Sequence, residues 1–195
     1  MINDKFIFLA LAITVFGNLA YLKDTLKGET KPNRVTWLLW GAAPLISYFS
    51  QRTSGGGIQT LYTLAIGAMP FVILGASFLD KKAYWAITKF DLVCGGVSVI
   101  ALILLVATGN GLLALVLSII ADMFASLPTI IKSYKHPQTE TTVSYGIEIA
   151  ASIIVILTIH HWIFVNYIFA IYILLSNIMF VAVLTRSRWI KQPSQ

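Results

Sequence analysis

Residues 126–146, SLPTIIKSYKHPQTETTVSYG, hold an apolar run with one proline, then a basic polar turn, then apolar sequence again. The stretch decides the fold because its pattern occurs twice. Shifted by 108 residues without a gap, NLAYLKDTLKGETKPNRVTWLLWGAAPL (18–45) overlies SLPTIIKSYKHPQTETTVSYGIEIAASI (126–153). Leu19 meets Leu127, Lys27 meets Lys135, Val35 meets Val143, Thr36 meets Ser144, Trp37 meets Tyr145, and Ala42 and Ala43 meet Ala150 and Ala151. Identity is low, but the hydropathy on either side keeps the same order, as an internal repeat requires.

Composition supplies the solvent. With 57% hydrophobic and 11% charged residues over 195 positions, the chain lies outside the balance of a soluble domain and reads as a membrane protein. Apolar runs at 6–22, 35–50, 58–79, 91–108, 111–131, 143–159 and 162–185 approach the roughly 20 residues that cross a hydrocarbon core. Spans 1–3 overlie spans 5–7 and leave span 4 single. Because one helix separates the triplets, both enter the membrane from the same side. The expectation is an all-α membrane protein of seven transmembrane helices, arranged as two parallel three-helix repeats joined by a linker helix. Its parts are 1–82 (spans 1–3), 83–110 (span 4) and 111–195 (spans 5–7 and a short tail). The first span, as the counterpart of span 5, is expected to be retained rather than cleaved as a signal.

Lysine and arginine collect in cytoplasmic loops. With the N-terminus outside, the inner segments hold Lys23, Lys27, Lys31, Arg34, Lys81, Lys82, Lys89, Lys132, Lys135, Arg186, Arg188 and Lys191, twelve of the fourteen basic residues. Lys5 and Arg52 remain outside. The net charge of +6 therefore reads as a topology signal, with the C-terminus cytoplasmic, and no nucleic acid need be invoked. Cys94 is the single cysteine, so no disulfide forms within the chain. CxxC and HExxH spacings, GxSxG and a phosphate loop are absent. No enzymatic chemistry, metal or cofactor is expected, and the histidines at 160 and 161 read as outer-loop residues.

A 3+1+3 order with a proline-bearing span end and a basic turn in each half resembles the PQ-loop and SWEET transporters. The second copy, LPTIIKSYKHPQTETTVSYG, is close to that family's LPQ run, with Pro128 at the motif proline and Thr129 where glutamine is usual. The first copy has Ala20 and Tyr21 there. The resemblance implies a transporter of a small polar solute, a sugar or similar metabolite, in a bacterial plasma membrane. It implies hinges at Pro44 and Pro128, with Ala20 and Ser152 at the unmatched positions. It also implies a tryptophan at Trp40 that stacks on the solute and an asparagine at Asn177 that contacts it.

A membrane protein with short loops must place its polar work between helices, near the midplane between repeats. Asp122 lies about eleven residues into span 5, roughly 16 Å along the axis, where a charge costs on the order of 3 kcal/mol. Burial there favours the neutral acid, so Asp122, with Glu148 as a weaker partner, is the expected proton-coupling group. Glu148, near the inner end of span 6, is expected to snorkel partly and replaces the second aromatic, since its repeat counterpart is Trp40. Ser126 shares a helix face with Asp122, as Asn18 does with Thr14. The substrate-binding set is thus Asn18, Trp40, Ser126, Tyr145 and Asn177. Asp91 is expected to pair with Lys89 at the membrane interface.

Two readings stay open, a transporter rocking two triplets about a central site and a seven-helix ligand or cargo receptor that moves nothing. A retinal photoreceptor is excluded because span 7 has no lysine for a Schiff base. The partners expected are a small solute and the lipid bilayer, with a homo-oligomer left open.

Overall fold

The computed structural model describes residues 1–79, 85–107 and 110–189, with backbone alone at 105, 106 and 187–189. Among these the chain forms seven α-helices: α1 (Phe6–Leu26), α2 (Arg34–Thr53), α3 (Thr60–Ala76), α4 (Lys89–Ala107), α5 (Gly111–Lys135), α6 (Thr142–Leu157) and α7 (Phe164–Trp189). A 3-10 turn spans Pro137–Thr139. Each apolar run of the sequence holds one helix. Three of them, α1, α5 and the Phe164–Arg186 part of α7, are long and apolar enough to cross a membrane. The helices α3 and α6, at 17 and 16 residues, are only about 26 and 24 Å long, so non-helical flanks must complete any crossing. Lys81, Lys82, Lys191 and the expected boundary between residues 82 and 83 lie outside the described residues, as does the side chain of Arg188.

The helix ends follow local chemistry. Helix α1 stops at Gly28, whose φ of 70° a side chain would resist. Gly28 N–H donates to the Thr25 carbonyl and Glu29 N–H to the Asp24 carbonyl, a Schellman closure. The Asn33 side chain accepts from Val35 and Thr36 N–H at the start of α2, and Asn110 does the same for Leu112 and Leu113 at the start of α5. At α4 the expected Asp91–Lys89 ion pair gives way to a different role. Asp91 Oδ2 accepts from Thr88 N–H at 2.6 Å and Asp91 N–H donates to Thr88 Oγ1 at 3.2 Å, a reciprocal cap that satisfies two orphan donors of the first turn.

The helices close a ring. In order around it α1 packs on α3, α3 on α2, α2 on α5, α5 on α7, α7 on α6 and α6 on α1, while α4 lies outside against α5 and α2. Small residues permit the tightest approaches. A Cβ built on Gly17 would stand 2.9 Å from Ile147 Cγ2 on α6, and one on Gly67 would stand 2.8 Å from the backbone nitrogen of Leu45 on α2. Such close contacts let van der Waals packing join one helix to the next.

Large apolar side chains cover much of the outside while several hydroxyls lie inside. Phe8, Phe16, Phe49, Leu79, Ile103 and Leu175 are more than half exposed, whereas Thr14, Ser47, Ser98 and Ser118 are wholly buried. The buried hydroxyls hold helices together: Ser98 Oγ donates to the Ala121 carbonyl at 2.7 Å, joining α4 to α5, and Ser47 Oγ bonds Ser118 Oγ, joining α2 to α5.

Candidate functional site

A cavity lies inside the ring, with about 90 Å³ open to water-sized molecules. One group of helices lines it with Asn18 and Tyr21 of α1, Trp37 and Trp40 of α2, Ile66 and Pro70 of α3, and Asp122 of α5. The other wall is Ser144, Tyr145 and Glu148 of α6, with Ile173, Ser176, Asn177 and Phe180 of α7. All six ring helices contribute, and no described residue of α4 does. At about 30 Å³ per water in the liquid, the space corresponds to about three waters, room for a small solute only.

Two buried carboxyls face this space from different helices. Asp122 Oδ2 accepts from the Tyr172 hydroxyl of α7 at 2.5 Å. Glu148 Oε1 accepts from Tyr62 of α3 at 2.6 Å and from Thr14 of α1 at 3.0 Å. Glu148 therefore does not snorkel: at 7% exposed, it is turned inward because two hydroxyls on facing helices satisfy it there. Around the carboxyls runs a chain of rings. Tyr21 and Trp37 centroids are 4.6 Å apart, Trp37 and Trp40 5.2 Å, Trp40 and Phe180 5.6 Å, and Tyr145 stacks on Phe180 at 4.6 Å with planes 10° apart.

The two ends of the cavity are closed by different means. Towards the 27–33 and 136–141 loops, Glu140 accepts from the Tyr21 and Tyr145 hydroxyls at 2.9 and 2.7 Å and pairs with Lys132. Both charged side chains are almost wholly buried. The Lys132 ammonium also donates to the Lys31 carbonyl and lies 5.3 Å over the Trp85 ring. The far end is apolar, with Ile7, Leu115, Val155, Val165 and Phe169 in one cluster. Beyond it Asn166 joins segments by accepting from Gly57 N–H and donating to the His161 carbonyl.

Of the residues singled out in sequence, Asn18, Trp40, Asp122, Tyr145, Glu148 and Asn177 share the cavity wall. Ser126 stands behind Trp40, accepting from its indole Nε1 at 2.9 Å. Pro44 and Pro128 are buried inside α2 and α5, away from the cavity lining. Sequence reasoning puts Tyr62 on one face of span 3 with Gln59 and Met69 but gives it no partner, and it misses Tyr172, the other tyrosine that holds a carboxyl, and the Glu140–Lys132 pair. A buried carboxyl on one helix calls for a donor on another, but no spacing along the chain says which.

One local pattern repeats across the ring. Thr36 Oγ1 of α2 donates to the Ala125 carbonyl of α5 at 2.8 Å, and Ser144 Oγ of α6 donates to the Gly17 carbonyl of α1 at 2.8 Å. Donors and acceptors are related by the same 108-residue shift. Compared with protein-family models, with curated proteins and with solved structures, the chain matches none.

Proposed function

We propose that this chain is a seven-span transporter of a small polar solute, built as two parallel three-helix repeats about a linker helix, as in the PQ-loop and SWEET family its sequence resembles. The observation that carries the reading is the cavity lined by all six ring helices and by no described residue of α4. Two further observations support it. Exchanging α1 with α5, α2 with α6 and α3 with α7 maps the packing order of the ring onto itself, and the hydroxyl-to-carbonyl bonds from Thr36 and Ser144 exchange with it.

In this reading the repeats run from 1–82 and 111–195, and the loops near Lys132 face the cytoplasm of a bacterial cell, with the N-terminus outside. The solute sits among Asn18, Trp40, Tyr145 and Asn177, with Ser126 fixing the Trp40 indole. The ion-paired end opens when Glu140 releases its two tyrosines, and the apolar end opens when the α1–α6 and α3–α7 contacts part. Alternation between them is what transport requires. Asp122 and Glu148 are the groups that couple the cycle to protons, since each conformation hydrates them differently.

The test is flux in proteoliposomes loaded with a pH-sensitive dye and challenged in turn with glucose, an amino acid and choline. Wild type should give a solute-dependent lumenal pH change that Asp122→Asn abolishes. Solute binding without flux in either protein would make the chain a receptor.

A further inference from the structure

The hydrogen-bonding character of the cavity wall is lopsided. The Tyr21 and Tyr145 hydroxyls donate to Glu140, Tyr62 donates to Glu148, and Tyr172 donates to Asp122. The Trp40 indole donates to Ser126, and the Ser144 hydroxyl donates to the Gly17 carbonyl. Asn18 and Asn177 each turn the amide nitrogen back to a carbonyl of their own helix, that of Thr14 at 2.9 Å and that of Ile173 at 2.8 Å. Their amide oxygens are left unengaged, as is the second oxygen of each carboxyl. The remaining donors are the Ser176 hydroxyl, the Trp37 indole N–H and the second hydrogens of the two amides.

Charge points the same way. Among the described residues no lysine, arginine or histidine lines the cavity, and the buried ammonium nearest in sequence to Asp122, that of Lys132, is taken by Glu140. Two carboxyls in a low-dielectric site without a cation can hold charge only at a steep desolvation cost. The same wall carries the rings of Trp40, Tyr145 and Phe180, and aromatic faces attract a desolvated cation by about 2 kcal/mol. A sugar hydroxyl both donates and accepts and would find few donors here, and an anion would meet two carboxyls.

We infer that the solute of this cavity is a small organic cation, an amine, guanidine or quaternary ammonium, held between the carboxyls of Asp122 and Glu148 and the rings of Trp40, Tyr145 and Phe180. The inference rests on the reading of this cavity as the solute site, and it replaces the neutral sugar that the family resemblance suggests. Glu148 is held through one oxygen by Thr14 and Tyr62, and Asp122 through one oxygen by Tyr172. Both are therefore oriented before a ligand arrives, which lowers the cost of binding.

Isothermal calorimetry on the full-length protein in detergent tests this with choline, agmatine, glucose and glutamate. Choline or agmatine should bind, and glucose and glutamate should not. Glu148→Gln keeps the shape that Tyr62 and Thr14 recognise and should weaken cation binding tenfold or more, as should Asp122→Asn. Trp40→Leu should weaken choline binding without touching either carboxyl. The wild-type preference among the four solutes needs no variant to fold. Glucose binding in place of the cations, no binding of either cation, or cation affinity unchanged in both carboxyl variants overturns the proposal. Cation binding with no flux in proteoliposomes would uphold it and sink the transporter reading, whereas glucose flux would do the reverse.

Discussion

The α2–α5 and α6–α1 interfaces are joined by the same bond, from Thr36 to the Ala125 carbonyl in one and from Ser144 to the Gly17 carbonyl in the other. Around that shared bond they differ. Where α2 carries Trp40 and α5 carries Asp122, the corresponding positions of α6 and α1 carry Glu148 and Thr14, so each interface brings one carboxyl to the cavity from the opposite member of the pair. Where Ser47 bonds Ser118, the other interface packs Val155 and Ala10 in an apolar cluster. Where α5 ends in the buried Lys132, α1 carries Asp24, which accepts from Thr141 at 2.6 Å. One interhelical bond is thus shared while polar equipment is divided. The side chains around that bond give a central cavity whose walls differ in chemistry.

The largest difference expected between the interfaces is at their charged ends. Glu140→Gln strands the Lys132 ammonium in a buried site and should cost about 3–5 kcal/mol, much of it recovered when Lys132→Met is added. Asp24→Asn leaves an amide oxygen to accept from Thr141 and should cost under about 1 kcal/mol. Thermal unfolding in detergent reads both, and equal losses would mean that the two ends are not built differently.

A smaller contrast lies at the crossing points. Gly17→Ala drives a methyl into Ile147 and should destabilise by about 1–3 kcal/mol through overpacking. The corresponding position of α5 already holds Ala125, buried at 1% exposure, and Ala125→Gly should cost about 1 kcal/mol through helix propensity alone. If Gly17→Ala is neutral, α1 and α6 approach less closely than described.

The smallest effect is the most informative about symmetry. Ser144→Ala removes one interhelical hydroxyl bond and should cost about 0.6 kcal/mol, the usual worth of such a bond between membrane helices, whereas Thr36→Val removes two, since Thr129 Oγ1 also donates to Thr36 Oγ1 at 3.0 Å, and should cost about twice that. Values that differ by more than about 1 kcal/mol would break the equivalence of the two interfaces.

The helix positions were legible because apolar runs and polar turns mark them directly in the letters, and Asn33, Asn110 and Gly28 act as local caps and stops. Asp122 and Glu148 could be singled out because carboxyls at depth are costly and few, and Trp40 and Asn177 because the family resemblance implies them. Their surroundings could not be read. Tyr62 meets Glu148 from 86 residues away and Tyr172 meets Asp122 from 50, separations that depend on which helices neighbour one another. Glu140 reads in sequence as part of a solvated turn, and only packing of the 136–141 loop against α1 buries it beside Lys132. Asp91 was misread because a neighbouring lysine suggested an ion pair, while the threonine three residues earlier supplied a cap.

The central claim is that one cavity opens alternately to the two faces of a membrane. Ser176, on the cavity wall, can be changed to cysteine in a background where the buried Cys94 is alanine. In oriented vesicles an impermeant thiol reagent should label position 176 from either face, and choline should slow both reactions together. Labelling from one face only, under every solute condition tried, would contradict alternating access and leave a binding protein with a single door.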